Sequence, residues 1–176
     1  MRDGFLFFMA DQLVRYMAAR DPAYNTLSFD PARHADELKR VSNLIDASDA
    51  NLDAFRARGG KLILLHGTVD MAIAPENTVD YNNRLLKRYG KDRLREFTRF
   101  YMVPGFGHGD GPFQMRWDGL TALDRWVDGG AEPVNQIATD SAQATAGRTR
   151  PLCEYPTWPR YLGKGDANTA ASFLCN

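Results

Sequence analysis

No serine in this 176-residue sequence lies in a Gly-x-Ser-x-Gly turn, and cysteines, net charge and long apolar runs are equally scarce. Basic and acidic residues number 22 each, so no excess charge attracts nucleic acid or an anionic membrane surface. No apolar run approaches the roughly 20 residues that a membrane-spanning helix needs. We therefore expect no nucleic-acid partner and no membrane span.

The start of the chain has only a superficial likeness to an export signal. Its short apolar stretch is followed by Asp11 and Arg15, and it has no small-residue cleavage site. Apolar residues recur at helical spacing over residues 1–20, which predicts an amphipathic helix that ends at Asp21-Pro22. We therefore expect no signal peptide in this chain.

The rest of the chain alternates between helical periodicity and short apolar runs. A helix is expected after Asp30-Pro31, where an N-cap aspartate precedes a first-turn proline, and a shorter one near residues 49–55. Four consecutive apolar residues predict a strand at 61–65 that is buried on both faces, as in a parallel sheet. The remaining predictions are a helix at 75–89, a strand at 95–103, a helix at 117–127 and an irregular chain after Pro133.

An ionisable residue follows each of the two predicted strands. The order strand–helix–strand–helix is typical of an α/β fold in which helices flank a parallel sheet, and functional residues of such sheets lie beyond the carboxyl ends of the strands. Asp70 follows the first strand, and His108 lies in a glycine-rich loop after the second. A carboxylate can orient an imidazole, which then takes a proton from a serine hydroxyl. This acid-then-histidine order matches the last two members of an α/β-hydrolase triad.

Other roles for these side chains stay open. Asp70 alone would cap a turn, and His108 alone would be an ordinary surface histidine. Asp110 is a second candidate for the acid. A zinc site made of His66, Asp70 and His108 is conceivable, although the spacing matches no metal motif. We expect His66 to hydrogen-bond local backbone and His34 to be solvated on a helix face.

Residue spacing alone identifies neither a nucleophile nor a disulfide. A disulfide between Cys153 and Cys175 would close a 22-residue loop and contribute about 3 kcal/mol, whereas two separate buried thiols are the alternative. No serine follows a strand in the small-residue turn that a nucleophile elbow requires. The serines are Ser28, Ser42, Ser48, Ser141 and Ser172.

A series of ordered motifs from about Leu52 to the C-terminus resembles the C-terminal part of the tannase and feruloyl esterase family. Residues 1–55 resemble, more weakly, the helical segment that leads from that family's lid into its hydrolase core. We therefore expect residues 56–176 to be the C-terminal part of an α/β-hydrolase domain with a disulfide-closed tail. The motifs are Gly59–Gly67 with Asp70, Phe100–Gly105 with Gly107-His108, Leu120–Val127, Gly130–Pro133, Arg148–Pro156 and Ala170–Cys175.

The resemblance implies an incomplete α/β-hydrolase fold and a serine carboxylesterase that acts on esters of aromatic or phenolic acids. It makes Asp70 the triad acid, His108 the base, and Cys153–Cys175 a disulfide of a secreted or periplasmic protein. The partner it implies is a small aromatic ester. We expect no cofactor in this chain, because the family's lid calcium would lie upstream.

The sequence departs from the family pattern at two points. The nucleophilic serine has no counterpart here, so the chain alone is predicted to be inactive. Gly109 stands where the family usually has a cysteine that bridges to a cysteine upstream.

Two other functions remain open on the sequence. The chain could be a non-catalytic fragment that acts as a binding module and self-associates through an unpaired sheet edge. It could also belong to a peptidase group of the prolyl-oligopeptidase type, although the motifs around Cys153 and Cys175 speak against that assignment.

Overall fold

The structure, a computed structural model, describes residues 4–176. Two compact units divide the chain, one ending at Ser48 and the other comprising Asp49–Asn176. The part of the predicted first helix that falls on residues 1–3 lies outside the described residues. No helix in the described part of the chain combines the length and the apolar character needed to cross a membrane.

The first unit consists of helices and turns, with two departures from the predicted pattern. Beyond Gln12 the first helix adopts π-helical winding, in which the Ala19 N–H donates to the Val14 carbonyl. The second helix begins at Ala35, because the Asp30 carboxylate accepts from Ala32 N–H in a preceding turn. The elements are α1 (Phe5–Gln12), a π-helix (Leu13–Ala18), a 3-10 turn (Thr26–Ser28) and α2 (Ala35–Ile45).

His34 is not solvated on a helix face, as the sequence had suggested. It immediately precedes α2, and its ring stacks on Phe29 with the ring centroids 4.7 Å apart. The Tyr24 hydroxyl lies 3.2 Å from its Nε2. His34 therefore belongs to a local aromatic cluster of the first unit.

A parallel pair of strands forms the centre of the second unit. Strand β1 (Leu62–Gly67) pairs with β2 (Thr98–Val103) in a register that matches Leu62 with Thr98 and Gly67 with Val103. Helices α4 (Pro75–Tyr89) and α5 (Lys91–Arg95) make the crossover between them. The predicted strand at 95–103 is shorter than expected because α5 occupies its first residue.

The two strands differ in burial, which corrects the expectation that the first would be buried on both faces. Every residue of β2 is buried, whereas the side chains of β1 before Gly67 are only partly buried. Among the described residues β2 is the one strand that pairs with β1. On its other edge β2 is covered, since Tyr155 N–H donates to the Phe100 carbonyl. The open edge of β1 explains its exposure.

Helices and loops cover both faces of this strand pair. On one face Leu64 packs against a cluster formed by Leu85, Leu94 and Phe97. On the other face, Arg99 lies beneath the indole of Trp126, which belongs to α6 (Gly119–Gly129). The second cluster on that face contains Tyr101, Val103, Phe113, Ala138 and Leu152.

Residues 49–55 lie in the second compact unit. Helix α3 (Asp53–Ala57) places Phe55 against the cluster around Leu85, and Leu52 packs there too. The Leu52 N–H donates to the Tyr89 hydroxyl at 2.7 Å. These contacts place the division of the chain before Asp49.

The C-terminal tail is more regular than the irregular chain predicted after Pro133. Its short strands were missed because each has only two to four residues, too few for a periodic pattern. Cys153 and Cys175 form a disulfide that ties the tail to its own last strand. One antiparallel sheet joins β4 (Ile137–Asp140) and β5 (Thr149–Pro151) of the tail to β3 (Met115–Arg116), which precedes the tail. A second antiparallel sheet consists of β6 (Pro159–Tyr161) and β7 (Phe173–Cys175), with a 3-10 turn (Ala170–Ser172) before β7.

Asp140 is the buried charge around which this tail is organised. Its side chain is fully buried and pairs with Arg148 at 2.7 Å. Burial by itself would raise the pKa of this carboxyl, but hydrogen bonds from the Ala142 and Gln114 N–H groups, the Thr145 hydroxyl and Arg148 lower it to about 2. Asp140 therefore stays ionised and satisfied inside the protein.

Asp140→Ala is expected to lower the free energy of unfolding by about 3–5 kcal/mol, because it strands the Arg148 charge and several N–H donors. Urea denaturation of both proteins measures the difference. The control is Asp128→Ala, which removes an exposed aspartate from α6 and should change stability by less than about 0.5 kcal/mol. Similar effects of the two changes would contradict this account of the tail.

Candidate active site

Asp70 lies in a tight turn directly after β1. One carboxylate oxygen, Oδ1, accepts hydrogen bonds from the backbone N–H groups of Ala72 at 2.8 Å and Ile73 at 3.0 Å. This arrangement is the side-chain-to-backbone turn that short acidic residues favour. The side chain is only 7% exposed, so its second oxygen, Oδ2, points along a direction that the turn fixes.

His108 lies in the glycine-rich loop that follows β2. This loop passes so close to the end of β1 that a Cβ atom on Gly67 would lie 1.9 Å from the Phe106 carbonyl oxygen. Only glycine fits at position 67 for this reason. Two hydrogen bonds join the loops, from Val69 N–H to the Phe106 carbonyl and from Gly105 N–H to the Thr68 hydroxyl oxygen.

The two loops bring the Asp70 carboxylate and the His108 imidazole into direct contact. Asp70 Oδ2 lies 3.0 Å from His108 Nδ1. A carboxylate only accepts hydrogen bonds, so Nδ1 carries the proton and Nε2 is the nitrogen left for other chemistry. The imidazole is 54% exposed, in contrast to the nearly buried carboxylate. An exposed imidazole is thus held by a nearly buried carboxylate.

Hydrogen bonding keeps Asp70 ionised in this turn. The backbone N–H of Ile73 makes the largest contribution, and the bonds from His108 and from Ala72 N–H act in the same direction. Together they outweigh the effect of burial and lower the pKa of the carboxyl from 3.8 to about 2. At neutral pH the group beside His108 is therefore a carboxylate.

His66 is a third ionisable residue in contact with this pair. It lies near the end of β1, and its Nε2 is 3.4 Å from Asp70 Oδ2 and 3.1 Å from the Ile73 carbonyl oxygen. The expected bond to local backbone is therefore present. The sequence did not indicate that the same ring also faces Asp70, or that its Nδ1 contacts the Thr78 hydroxyl at 2.7 Å.

The other sequence candidates do not join the pair. Asp110 contributes its backbone carbonyl to the loop, accepting from Gly107 N–H, while Asp70 is the carboxylate that meets His108 Nδ1. No group of three or more His, Cys, Asp or Glu side chains among residues 4–176 is arranged to hold a metal ion. The zinc site considered from the sequence is therefore not formed by His66, Asp70 and His108.

Four of the serines have hydrogen-bond partners other than His108. Ser141 donates to the Gln114 carbonyl, and Ser172 lies buried beside Thr169. Ser28 and Ser42 belong to the first unit, where they bond to the Asn25 carbonyl and the Asp46 carboxylate.

Gly109, the position at which the family usually has a cysteine, adopts a backbone conformation that suits glycine. Its φ is +99°, in the region that residues with a Cβ rarely occupy. The loop that presents His108 is therefore shaped for a glycine at this position, and a cysteine there would require a different local backbone.

Two residues that the sequence analysis did not single out hold the far end of the His108 loop. Asp140 accepts from Gln114 N–H, and Arg148 donates to the Pro112 carbonyl at 3.0 Å. The signal for them in the sequence is weak, because a buried ion pair is recognisable only once the chain is folded. The tail therefore anchors the loop that carries the base.

Comparison with known proteins identifies the family to which this chain belongs. Residues 4–176 match the family model described as tannase and feruloyl esterase. The fold is shared with the crystal structure of feruloyl esterase B from Aspergillus oryzae, with a TM-score of 0.80 at 21% identity, over 94% of this chain and 36% of that one. Tannin acyl hydrolase from Aspergillus niger gives a TM-score of 0.71 at 20% identity, over 95% and 32%.

Proteins with similar sequences are also esterases or ester hydrolases by name. An uncharacterized esterase of Agrobacterium fabrum, Atu5261, is 39% identical over 93% of this chain, and mono(2-hydroxyethyl) terephthalate hydrolase of Piscinibacter sakaiensis is 44% identical over 73%. This chain spans 30% and 22% of the length of those two proteins. The chain belongs to the tannase and feruloyl esterase family, whose members are carboxylic ester hydrolases.

The lowered pKa of Asp70 predicts how the stability of the fold changes at acidic pH. A carboxyl whose pKa is lower in the folded state stabilises the fold fully above its unfolded value of 3.8, and this contribution is lost as the pH falls towards 2. We therefore expect Asp70→Asn to reduce stability near pH 6, with the difference from the parent shrinking between about pH 4 and pH 2. Urea denaturation at a series of pH values measures it. A difference that stays constant over this range would contradict the assignment.

Proposed function

We propose that this chain supplies the acid and the base of a serine carboxylesterase that hydrolyses esters of aromatic acids. The observation that carries the proposal is the 3.0 Å contact between Asp70 Oδ2 and His108 Nδ1. It leaves Nε2 of an exposed imidazole facing solvent, where a serine hydroxyl could reach it. Family membership supports ester hydrolysis as the reaction.

In the proposed reaction His108 acts first as a base and then as an acid. Nε2 takes the proton of the serine hydroxyl while the oxygen attacks the ester carbonyl carbon, and then gives that proton to the departing alcohol. Water, activated in the same way, hydrolyses the acyl-enzyme and restores the serine. Asp70 keeps the proton of the neutral imidazole on Nδ1 and stabilises the imidazolium that forms at each step.

The serine of this triad is proposed to lie outside the 176 residues. The sequence has no nucleophile turn, and the chain spans less than a third of the length of the Agrobacterium esterase and of the terephthalate hydrolase. We accordingly interpret residues 49–176 as the C-terminal portion of an α/β-hydrolase sheet, with β1 and β2 as two of its parallel strands. The open edge of β1 is where further strands would continue the sheet.

An apolar rim beside the acid supports an aromatic substrate. Val69, Met71 and Ile73 alternate along the turn that contains Asp70, and between 48% and 76% of each is exposed. Such a surface next to a catalytic pair would gain from covering an aromatic ring. One relative is named for its action on a terephthalate ester, which is an ester of an aromatic acid.

The disulfide supports an oxidising compartment. Cys153 and Cys175 are bonded, and disulfides persist in secreted and periplasmic proteins rather than in a reducing cytosol. We therefore propose that the full-length protein is secreted or periplasmic.

A chimera tests the proposed triad. The matching segment of the terephthalate hydrolase is replaced by this chain's segment, and turnover of mono(2-hydroxyethyl) terephthalate is measured. We expect the chimera to be active, and His108→Ala and Asp70→Asn each to lower kcat by about 10³–10⁴-fold, because one removes the base and the other its correct tautomer. The unfused chain should show no hydrolysis above its own His108→Ala variant.

The control for this experiment is Asp124→Asn, which makes the same chemical change on the exposed face of α6. It should leave kcat within about twofold of the chimera. A chimera that stays active after His108→Ala would contradict the proposal, as would His108-dependent turnover by the unfused chain.

The open strand edge favours a second candidate, in which the chain is a non-catalytic association module. Because Leu62 N–H donates to the carbonyl of Phe97, the residue directly before β2, the alternation along a strand leaves Ile63 N–H on the unpaired edge. Association through this edge would use that donor.

This alternative predicts dimers or larger species whose proportion rises with concentration in sedimentation velocity. Ile63→Pro removes the edge N–H and should reduce association at least about threefold, whereas Ile63→Val keeps the donor and should not. A monomer at all concentrations would exclude the module, and equal association by both variants would exclude this edge.

A further inference from the structure

His66 has both ring nitrogens engaged in a nearly buried position. Its side chain is 9% exposed at the end of β1. Nε2 faces the Ile73 carbonyl oxygen at 3.1 Å and Asp70 Oδ2 at 3.4 Å, and Nδ1 faces the Thr78 hydroxyl on α4 at 2.7 Å. A histidine held on both sides in this way has one orientation.

These partners define the tautomer of His66. A carbonyl oxygen and a carboxylate oxygen can only accept, so the proton of the neutral ring must lie on Nε2. Nδ1 is then an acceptor, and the Thr78 hydroxyl donates to it. The Thr78 hydroxyl therefore supports the tautomer that presents an N–H to the Asp70 turn, because it supplies the donor that Nδ1 then needs.

The Nε2–H group of His66 completes a closed ring of contacts around Asp70. Ile73 N–H donates to Asp70 Oδ1, while the carbonyl of the same Ile73 accepts from His66. The same His66 nitrogen also faces Asp70 Oδ2, the oxygen that holds His108. His66 thus holds the turn that orients the carboxylate through the Ile73 carbonyl and lies 3.4 Å from the oxygen that contacts His108.

We propose that His66 is a positioning residue, which acts through Asp70 to keep the His108 proton on Nδ1. The inference rests on the proposed function, which gives Asp70 the task of orienting that imidazole. Without the His66 donor the Ile73 carbonyl loses its partner, and the backbone N–H groups of Ala72 and Ile73 alone hold the turn that directs Asp70 Oδ2. A misdirected carboxylate stabilises the Nδ1–H tautomer of His108 less. A larger fraction of the rings then carries the proton on Nε2, where no lone pair is available to accept a proton.

Two amide substitutions at position 66 distinguish the effect of the Nε2–H donor from the effect of losing the imidazole ring. His66→Gln places an amide N–H near the position of Nε2, whereas His66→Asn is shorter and reaches only the region of Nδ1. Nitrogen-15 shifts of the His108 ring in the unfused chain report the ratio of its Nδ1–H and Nε2–H tautomers. We expect that ratio to fall about threefold or more in His66→Asn and to stay near the parent value in His66→Gln. Asp70→Asn gives the value without the carboxylate.

A second pair of variants keeps the test decisive if His66→Asn does not fold. Thr78→Val removes the hydroxyl that donates to His66 Nδ1 with little change of shape, and Thr78→Ser retains it. The His108 ratio should fall in Thr78→Val and be restored in Thr78→Ser. An unchanged ratio in a folded His66→Asn, an equal loss in both His66 variants, or equal effects of both Thr78 variants would overturn the proposal.

The measurement does not depend on turnover, so its outcome is distinct from that of the esterase test. An inactive chimera would refute the proposed function while leaving the tautomer ratio measurable. In an active chimera, His66→Asn should lower kcat about threefold or more with KM unchanged, because the substrate does not touch His66 in this scheme. A rise in KM with kcat preserved would show a role in binding and overturn the inference.

Discussion

The candidate site depends on the register in which β1 pairs with β2. His66 pairs with Met102 and Gly67 with Val103, so both strands end at the same height. The turn after one strand carries Asp70 and the loop after the other carries His108. A shift of one residue would move the two chain ends apart and turn every side chain to the opposite face. The absent Cβ of Gly67 lets the second loop cross the end of β1 at the required distance.

Electrostatics gives the two members of the pair different surroundings. The acid is nearly buried and is satisfied by backbone donors as well as by His108, which keeps its pKa low. The His108 imidazole is more than half exposed and is not enclosed by backbone donors in this way. A buried, fixed carboxylate and an open imidazole suit a division of labour in which one group orients and the other transfers protons. Asp140 and Arg148 extend this order to the far end of the His108 loop.

The sequence predicted the parallel strands, the crossover helix and the Asp70–His108 contact, because each depends on local periodicity or on the topology of strand ends. It failed where structure depends on distant partners. The strands of the tail are too short to show a period, and the open edge of β1 could not be read from an apolar run that is typical of buried strands. His66 was assigned to local backbone, since its second partner, Thr78, is brought to it by the packing of α4.

The hydrogen bonds of Asp70 and His66 and the Asp70–His108 contact arise within residues 66–108. Asp140 and Arg148, which anchor the end of the His108 loop, belong to the same chain. The pair therefore does not need a nucleophile to acquire its geometry. In a triad the base must already hold its proton on the correct nitrogen before a hydroxyl arrives, because reorienting it during the reaction would add to the barrier. A unit that preorganises acid and base from its own residues meets this requirement wherever the serine comes from. This independence explains how a chain without a nucleophile turn can contain an ordered Asp–His pair.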